Sequence, residues 1–390
     1  MHEFLPTEAQ PSRTDNRPRD TIRHVRRWAV FATLLIGAVV AARPGWTQDS
    51  SRITDSVFTN PGARSIALGG AFAAIADDAT AAFANPAGLV QILRPEISAE
   101  IRATAGLFDS SSLNETSNGV SGLGFFSFVY PFRSWAFALY SHQVASLEFT
   151  ETWTDSLIRE FSVRSFSGAT AYQIGENLSI GAGLSYYNGN RTSGAGTATV
   201  SDADWGFNLG ILWNTAPAWT IAGFYRQGPD FESIPDAGRM NGILPEVAGL
   251  QDAADTSRLS FPDEYGLGVA FQPNAGALTI GFEWDHMGNT VDPLLTGQTV
   301  TEGGSEYHLG AEYAVLKWKP VVAFRAGYWI EAGRHRDTIV GPEIVETVTT
   351  NTLSHFAFGF GLAFKRFQVD AGVDIFERAV VASVSIILSF

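Results

Sequence analysis

VVASVSIILSF, from Val380 to Phe390, is the stretch that decides how this chain reads. Side chains alternate faces along an extended strand. Val380, Ala382, Val384, Ile386, Leu388 and Phe390 therefore share one face. Val381, Ser383, Ser385, Ile387 and Ser389 share the other. One face is apolar, and the other is small and mostly polar. A soluble sandwich can use such a strand. A strand that ends the chain on an aromatic residue fits the closing strand of a membrane barrel better, with the apolar face toward lipid and the small face toward the lumen.

The same alternation recurs upstream. Phe356, Phe358, Phe360, Leu362 and Phe364 alternate with small residues. Phe367, Val369, Ala371, Val373 and Ile375 alternate with Gln368, Asp370, Gly372 and Asp374. Leu278, Ile280, Phe282 and Trp284 alternate with Thr279, Gly281, Glu283 and Asp285. This is the half-buried strand pattern. It yields fourteen strands, near 96–106, 119–131, 134–149, 158–174, 177–190, 199–214, 218–228, 258–272, 276–286, 303–315, 320–331, 350–364, 367–377 and 380–390. Six connections are tight, and most of those between them are longer, up to the stretch Pro229–Thr256. Short turns alternating with longer loops, over an even strand number, give an all-β fold: a 14-stranded antiparallel transmembrane β-barrel. Trp135, Trp205, Trp213, Trp219, Trp284, Trp318 and Trp329 near strand ends read as interfacial girdles.

The N-terminal sequence agrees with export. Arg23, Arg26 and Arg27 precede WAVFATLLIGAVVAA, Trp28–Ala42. That run is short for a spanning helix and suits a signal peptide over residues 1–42, with cleavage between 42 and 48. A tail and plug are then expected over 43–94 and the barrel over 95–390. Removing residues 1–42 takes away six Arg and four acidic residues. That leaves 20 basic and 36 acidic side chains and a net charge of about −16, which excludes a nucleic-acid partner. With no cysteine, disulfide and thiolate chemistry are also excluded. The seven His show no metal-ligand spacing and no Ser/His/Asp constellation is recognisable, so the expectation is a non-enzyme without metal or cofactor.

Residues 60–93, NPGARSIALGGAFAAIADDATAAFANPAGLVQIL, are rich in Ala and Gly and lack long alternation. Short helical pieces near 63–68 and 76–84 are expected. Gly69, Gly70, Asn85 and Pro86 mark turns. A compact apolar segment just before the first strand suits a plug inside the barrel; the alternative is a periplasmic tail. Asp77 and Asp78 are expected to hold it by hydrogen bonds, with the Asn85-Pro86-Ala87 turn set against the wall. Inward Gly266, Gly268, Gly359 and Gly361 leave room for a ligand or fit a strongly curved wall.

GGAFAAIADDATAAFANPAG, Gly69–Gly88, resembles the N-terminal hatch signature of the long-chain fatty acid outer-membrane transporters (the FadL/TodX-like family), a pattern shared with PorV-type barrels. FPDEYGLGVAFQP (Phe261–Pro273), TIGFEWDHM (Thr279–Met287) and FRAGYWIE (Phe324–Glu331) resemble later segments of the transporter branch. The resemblance implies a monomeric barrel with an N-terminal lumenal hatch, set in outer-membrane lipid and lipopolysaccharide. It also implies a hydrophobic small-molecule ligand such as a long-chain fatty acid, which enters from an external groove and leaves through a gap in the wall. PorV-type barrels imply instead a shuttle or scaffold for exported proteins. The chain departs from the family in one respect: the connection Arg191–Thr197 is short where the family has a second long loop. Candidate ligand contacts are Phe72 and Phe83 in the hatch, Leu244 in the long loop, and the lumenal cations Arg102, Arg226 and Arg325. The inward acids Glu100, Glu283, Asp285, Glu306, Glu312, Asp370 and Asp374 offer those cations structural partners, Glu312 for Arg325 among them.

Overall fold

The computed structural model describes residues 60–105, 108–110, 115–119, 122–151, 157–193, 198–232, 259–273, 276–293, 297–377 and 379–390. The expected signal peptide and the long-loop contact Leu244 lie outside them.

A strand in lipid has no water for its N–H and C=O groups, and each unpaired group costs several kcal/mol, so a spanning sheet must close. The sheet here does close. Its strands are β1 (Glu96–Ala105), β2 (Gly122–Phe132), β3 (Trp135–Glu151), β4 (Leu157–Ile174), β5 (Leu178–Ser193), β6 (Ala198–Ala216) and β7 (Trp219–Arg226). They continue with β8 (Glu264–Phe271), β9 (Leu278–Met287), β10 (Gly304–Val315), β11 (Val321–Glu331), β12 (Leu353–Ala363), β13 (Phe367–Ile375) and β14 (Val380–Ser389). Each pairs antiparallel with its neighbours in sequence, and β14 closes the ring on β1 from Glu96↔Ser389 to Ala105↔Val380.

Alternation sets the two faces. Ile101, Phe128, Leu139, Leu209, Phe282, Phe324, Phe358 and Ile386 are exposed on the outside, while Glu100, Glu283, Asp285, Glu312, Asp370 and Asp374 are buried inside. Trp135 packs on Tyr172 and Trp219 on Phe271 at the short-turn end. Tyr186 on Trp205 and Tyr265 against Trp284 mark the long-loop end. Trp329 is a correction: it sits on the inward parity of β11 with Arg325, is buried, and stacks on His355 at 3.7 Å.

β3 to β6 run 16–19 residues, well beyond the roughly 9–11 that cross a bilayer. Their short-turn ends are level, Trp135↔Tyr172 and Leu178↔Trp213, so the excess rises at the long-loop end. There the connections from β9 and from β11 form a four-stranded sheet of residues 290–293, 297–301, 335–340 and 343–349, which strand reading of the sequence missed.

Residues 60–92 lie within the ring, packed against its inward face. They hold α1 (Ala63–Ala67), α2 (Ala81–Ala84) and a 3-10 turn over Pro86–Gln91. The wall admits them through glycines. Gly181 and Gly210 face Pro86–Ala87; Gly268 and Gly281 face Ala71–Ala74; Gly310 and Gly327 face Leu68–Gly69; Gly359 and Gly372 face α1. Several are paired across strands, Gly181↔Gly210, Gly281↔Gly310, Gly310↔Gly327 and Gly359↔Gly372, and so form a belt. Of the four glycines singled out in the sequence, Gly268 and Gly359 belong to this belt. Gly266 and Gly361 instead give room to the side chains of Phe224 and Asp285, and of Asp370 and Arg325.

At Gly327 a Cβ would overlap the backbone of Leu68–Gly69. Gly327→Leu should leave the barrel folded, seen as heat-dependent mobility on gels, while amides of residues 63–75 exchange with deuterium at least tenfold faster. Unchanged exchange there would contradict the packing described.

Candidate functional site

The inner segment has only two short helices and a 3-10 turn, so many of its backbone groups lack partners of their own. Buried backbone groups are almost always paired, and here the wall's side chains pair them. Glu100 accepts from Gly62 N at 2.9 Å. Glu283 Oε2 accepts from Phe72 N at 2.7 Å and Ala73 N at 2.6 Å. His308 Nδ1 meets Gly69 O at 2.7 Å. Asn208 donates to Ala82 O at 3.2 Å, Arg226 to Phe83 O at 3.0 Å and Ser179 to Ala87 O at 2.9 Å. Asn85 donates in the other direction to Ile211 O at 3.2 Å, and within the segment to Ala73 O at 3.0 Å. The turn Asn85-Pro86-Ala87 thus does seat the segment on the wall.

Charge adds a second fastening. Arg64 of α1 donates to both oxygens of Glu312, at 3.0 and 3.1 Å, and also pairs with Asp77. Burial alone would lower the pKa of this guanidinium. The charges of Asp77, Glu312 and Asp78 more than reverse that and hold it well above the ordinary value. Glu312 also pairs with Arg325, which reaches Asp370 at 2.7 Å. Asp77 and Asp78 act within the segment: Asp77 meets Arg64, and Asp78 Oδ1 accepts from Thr80 N at 2.9 Å. Gly69 and Gly70 take positive φ of 62° and 83°. The turn they make lies against Gly327–Tyr328 and the His308 ring.

The candidate contacts separate into two groups. Arg325 is committed to Glu312 and Asp370. Arg102 is committed to Glu100 at 3.0 Å and Asn60 O at 3.1 Å. Phe72 is fully buried in the segment, 5.7 Å from the Arg64 guanidinium. Phe83 and Arg226 come together instead. The Arg226 guanidinium lies 3.8 Å over the Phe83 ring and pairs with Glu264. His142 of β3 meets the same ring edge-to-face at 4.4 Å. Phe125, Tyr140, Val144, Val163, Tyr187 and Phe224 join this region to one apolar cluster running from the inner segment to the wall.

Beside that cluster the wall is irregular. The β2–β3 ladder stops at Phe125↔His142, and among the described residues β3 has no partner on that side from Gln143 to Ser146. The register slips on both flanks, with Gly124 extra in β2 against β1 and Val144 extra in β3 against β4. Side chains replace the missing ladder. Arg164, whose face the sequence left ambiguous, points outward; it donates to Leu123 O at 2.9 Å and Gln143 Oε1 at 2.5 Å. Gln143 donates to Ala145 O at 2.6 Å. Arg164 sits two residues, one outward position, beyond the outward row Phe166–Tyr186–Trp205, near the interface, where an outward arginine costs about 0–1 kcal/mol. Farther toward the long-loop end, a cavity of about 740 Å³ is lined by Asp202, Asp204, Asp230, Glu232 and Asp263.

No protein-family model and no curated protein matches the sequence. Solved structures do match the fold. A Pseudomonas aeruginosa FadL homologue superposes with a TM-score of 0.56 at 13% identity, over 90% of this chain and 100% of that one. The Ralstonia pickettii toluene transporter TbuX gives 0.58 at 13%, over 85% and 99%. The Pseudomonas putida toluene transporter TodX gives 0.56 at 12%, over 85% and 98%.

The fold is that of the FadL-type outer-membrane barrels. Of the residues singled out in the sequence, Phe83 and Arg226 lie together in the barrel interior and the Asn85 turn lies against the wall. Sequence reasoning did not single out His142, Gln143 or the anchoring role of Glu283. A signal existed for Glu283: it is an acid at a lumenal parity position two residues from another, Asp285, with no basic residue beside it in the strand. His142 had one as well, the unbroken alternation Ala136, Ala138, Tyr140, His142 that places it inside; Gln143 falls on the outward parity, and nothing in the sequence marks its role.

Glu283→Ala removes the acceptor of two buried amides. Each unpaired amide costs about 1–3 kcal/mol, so exchange over residues 70–75 should rise roughly tenfold or more while the β9–β10 ladder stays protected. Unaltered exchange at Phe72 and Ala73 would rule out the anchoring role.

Proposed function

We propose that this chain is a passive outer-membrane channel for hydrophobic compounds, most plainly long-chain fatty acids or hydrocarbons, with residues 60–92 as its hatch and 95–390 as its barrel. The observation that carries this reading is the break between β2 and β3 beside an apolar, aromatic-lined interior that the inner segment fills. The fold likeness to two toluene transporters supports it.

Moving an apolar molecule requires continuous shelter, at about 25 cal/mol per Å² of apolar surface, and no site so tight that release fails. Phe83 and the cluster around it supply that shelter within the barrel. The break at Gln143–Ser146 is the lateral exit toward lipid. The hatch closes the path in the structure described, and its many single hydrogen bonds make it releasable in steps. Phe72 and Arg325 belong to the framework of the closed state, and Phe83 with Arg226 to the ligand path. The outer rim has acidic walls, so capture begins on the apolar residues of the long loop, Leu244 among them. The channel works as a monomer, without cofactor or catalytic step.

Uptake of labelled oleate and labelled toluene should be measured in cells lacking their own transporters, with and without this chain. The full chain should raise uptake of at least one of them. Deletion of Gly69–Gly88, with surface expression verified, should abolish or deregulate that uptake, and Arg164→Ala should alter its rate several-fold. No uptake of either compound by a folded barrel would overturn the channel reading and favour a protein-binding role.

A further inference from the structure

His142 is 1% exposed, and neither of its ring nitrogens has a hydrogen-bond partner among the described residues. The lumen treats its other buried imidazoles differently. His308 is held by Gly69 O at 2.7 Å and approaches Asp285 at 3.2 Å. His355 is held by Asp374 at 2.9 Å and Glu331 at 3.2 Å. Around His142 there are rings and aliphatic groups: Phe83 at 4.4 Å and Phe125 at 6.1 Å, both edge-on, with Tyr140, Val144 and Val163 in the same cluster. A buried polar group left unpaired is a standing cost that an apolar side chain of similar size would avoid.

Its location is as unusual as its environment. Phe125↔His142 is the last pair of the β2–β3 ladder before the break, and the two bulge residues, Gly124 and Val144, flank that pair. Bulges recur beside functional sites, and His142 is the last inward residue of the regular alternation Ala136, Ala138, Tyr140, His142 before them. Phe83 of the inner segment covers the imidazole. The cation over the face of that same ring, Arg226, is already engaged by Glu264 and Phe83 O. Among the described residues, the unused hydrogen-bonding capacity at the lip of the break lies with His142 and with the hydroxyl of Ser165 opposite it on β4, and the imidazole is the larger of the two and the one that Phe83 covers.

We propose that His142 is a specificity-determining residue of the exit path, which offers one hydrogen bond to the head of a ligand that is otherwise apolar. This inference rests on the channel reading above. A neutral imidazole presents one donor and one acceptor. It can accept from a carboxylic acid or alcohol, or donate to a carbonyl or carboxylate. A plain hydrocarbon can use neither. When Phe83 moves aside, a chain with one polar head finds the imidazole at the break, strong enough to orient the head and weak enough to release it. The channel then favours head-bearing chains, such as fatty acids or fatty alcohols, over alkanes of equal length.

The test compares uptake of labelled palmitate, hexadecanol and hexadecane by the wild-type chain and by His142→Leu and His142→Gln, each verified as a folded surface barrel. The wild type should prefer the two head-bearing ligands. His142→Leu should lower their uptake relative to hexadecane at least tenfold. His142→Gln keeps a donor and an acceptor and should recover most of the preference. An unchanged ratio in His142→Leu, or loss of all three ligands in parallel, would assign His142 to packing alone and overturn the proposal. A wild-type barrel that carries all three equally overturns the proposal but leaves the channel reading standing. One that carries none overturns both.

Discussion

Backbone N–H and C=O groups find no water inside a bilayer, and that constraint governs this structure at three places. In the wall it forces closure, which the β1–β14 ladder completes over ten residue pairs. In the lumen it governs the inner segment, whose helices are too short to satisfy themselves. Glu100, Glu283, His308, Asn208, Arg226 and Ser179 do so from the wall. At the β2–β3 break, between His142 and Leu147, the ladder is missing among the described residues, and Arg164 and Gln143 make side-chain bonds to backbone carbonyls there.

These three solutions differ in how easily they come apart. A ladder opens only cooperatively. The inner segment is held by side-chain bonds spread over many strands, each of modest net value, together with the Arg64–Glu312 pair, whose loss would strand buried charges. Among the described residues, the side-chain bonds at the break come from Arg164 and Gln143. A gradation from rigid wall to releasable segment to side-chain closure fits the proposed passive path for apolar molecules. The glycine belt serves the same end. It brings the segment's backbone against the wall, so that short polar side chains can reach it.

Much of this is legible in the sequence. The fourteen strands can be read because lipid outside and polar residues inside impose alternation residue by residue, as in Phe356–Phe364 and Val380–Phe390. The inner segment can be read because Gly69–Gly88 interrupts that alternation just before β1. Four features resist reading, each for a physical reason. Gly310 and Gly327 look like neutral small residues in a strand, since nothing local says that another backbone lies against them. Trp329 looks like a girdle residue from its place near a strand end, yet its parity with Arg325 puts it inside with His355. His142 keeps the inward alternation of Ala136, Ala138 and Tyr140, but nothing local says that the ladder on β2 ends beside it. The short strands at 335–340 and 343–349 are solvated on both sides, so no environment writes a pattern into them.

The central claim is that the inner segment must leave the wall for ligand to pass. The chain has no cysteine of its own, so a tether can be placed cleanly where Ser179 meets Ala87 O. Uptake of a labelled hydrophobic ligand by the Ser179→Cys, Ala87→Cys double variant should be measured after oxidation and again after reduction. The account predicts uptake that is blocked when the tether is complete and restored when it is reduced. Equal uptake in both states, with cross-linking verified as complete, would contradict it.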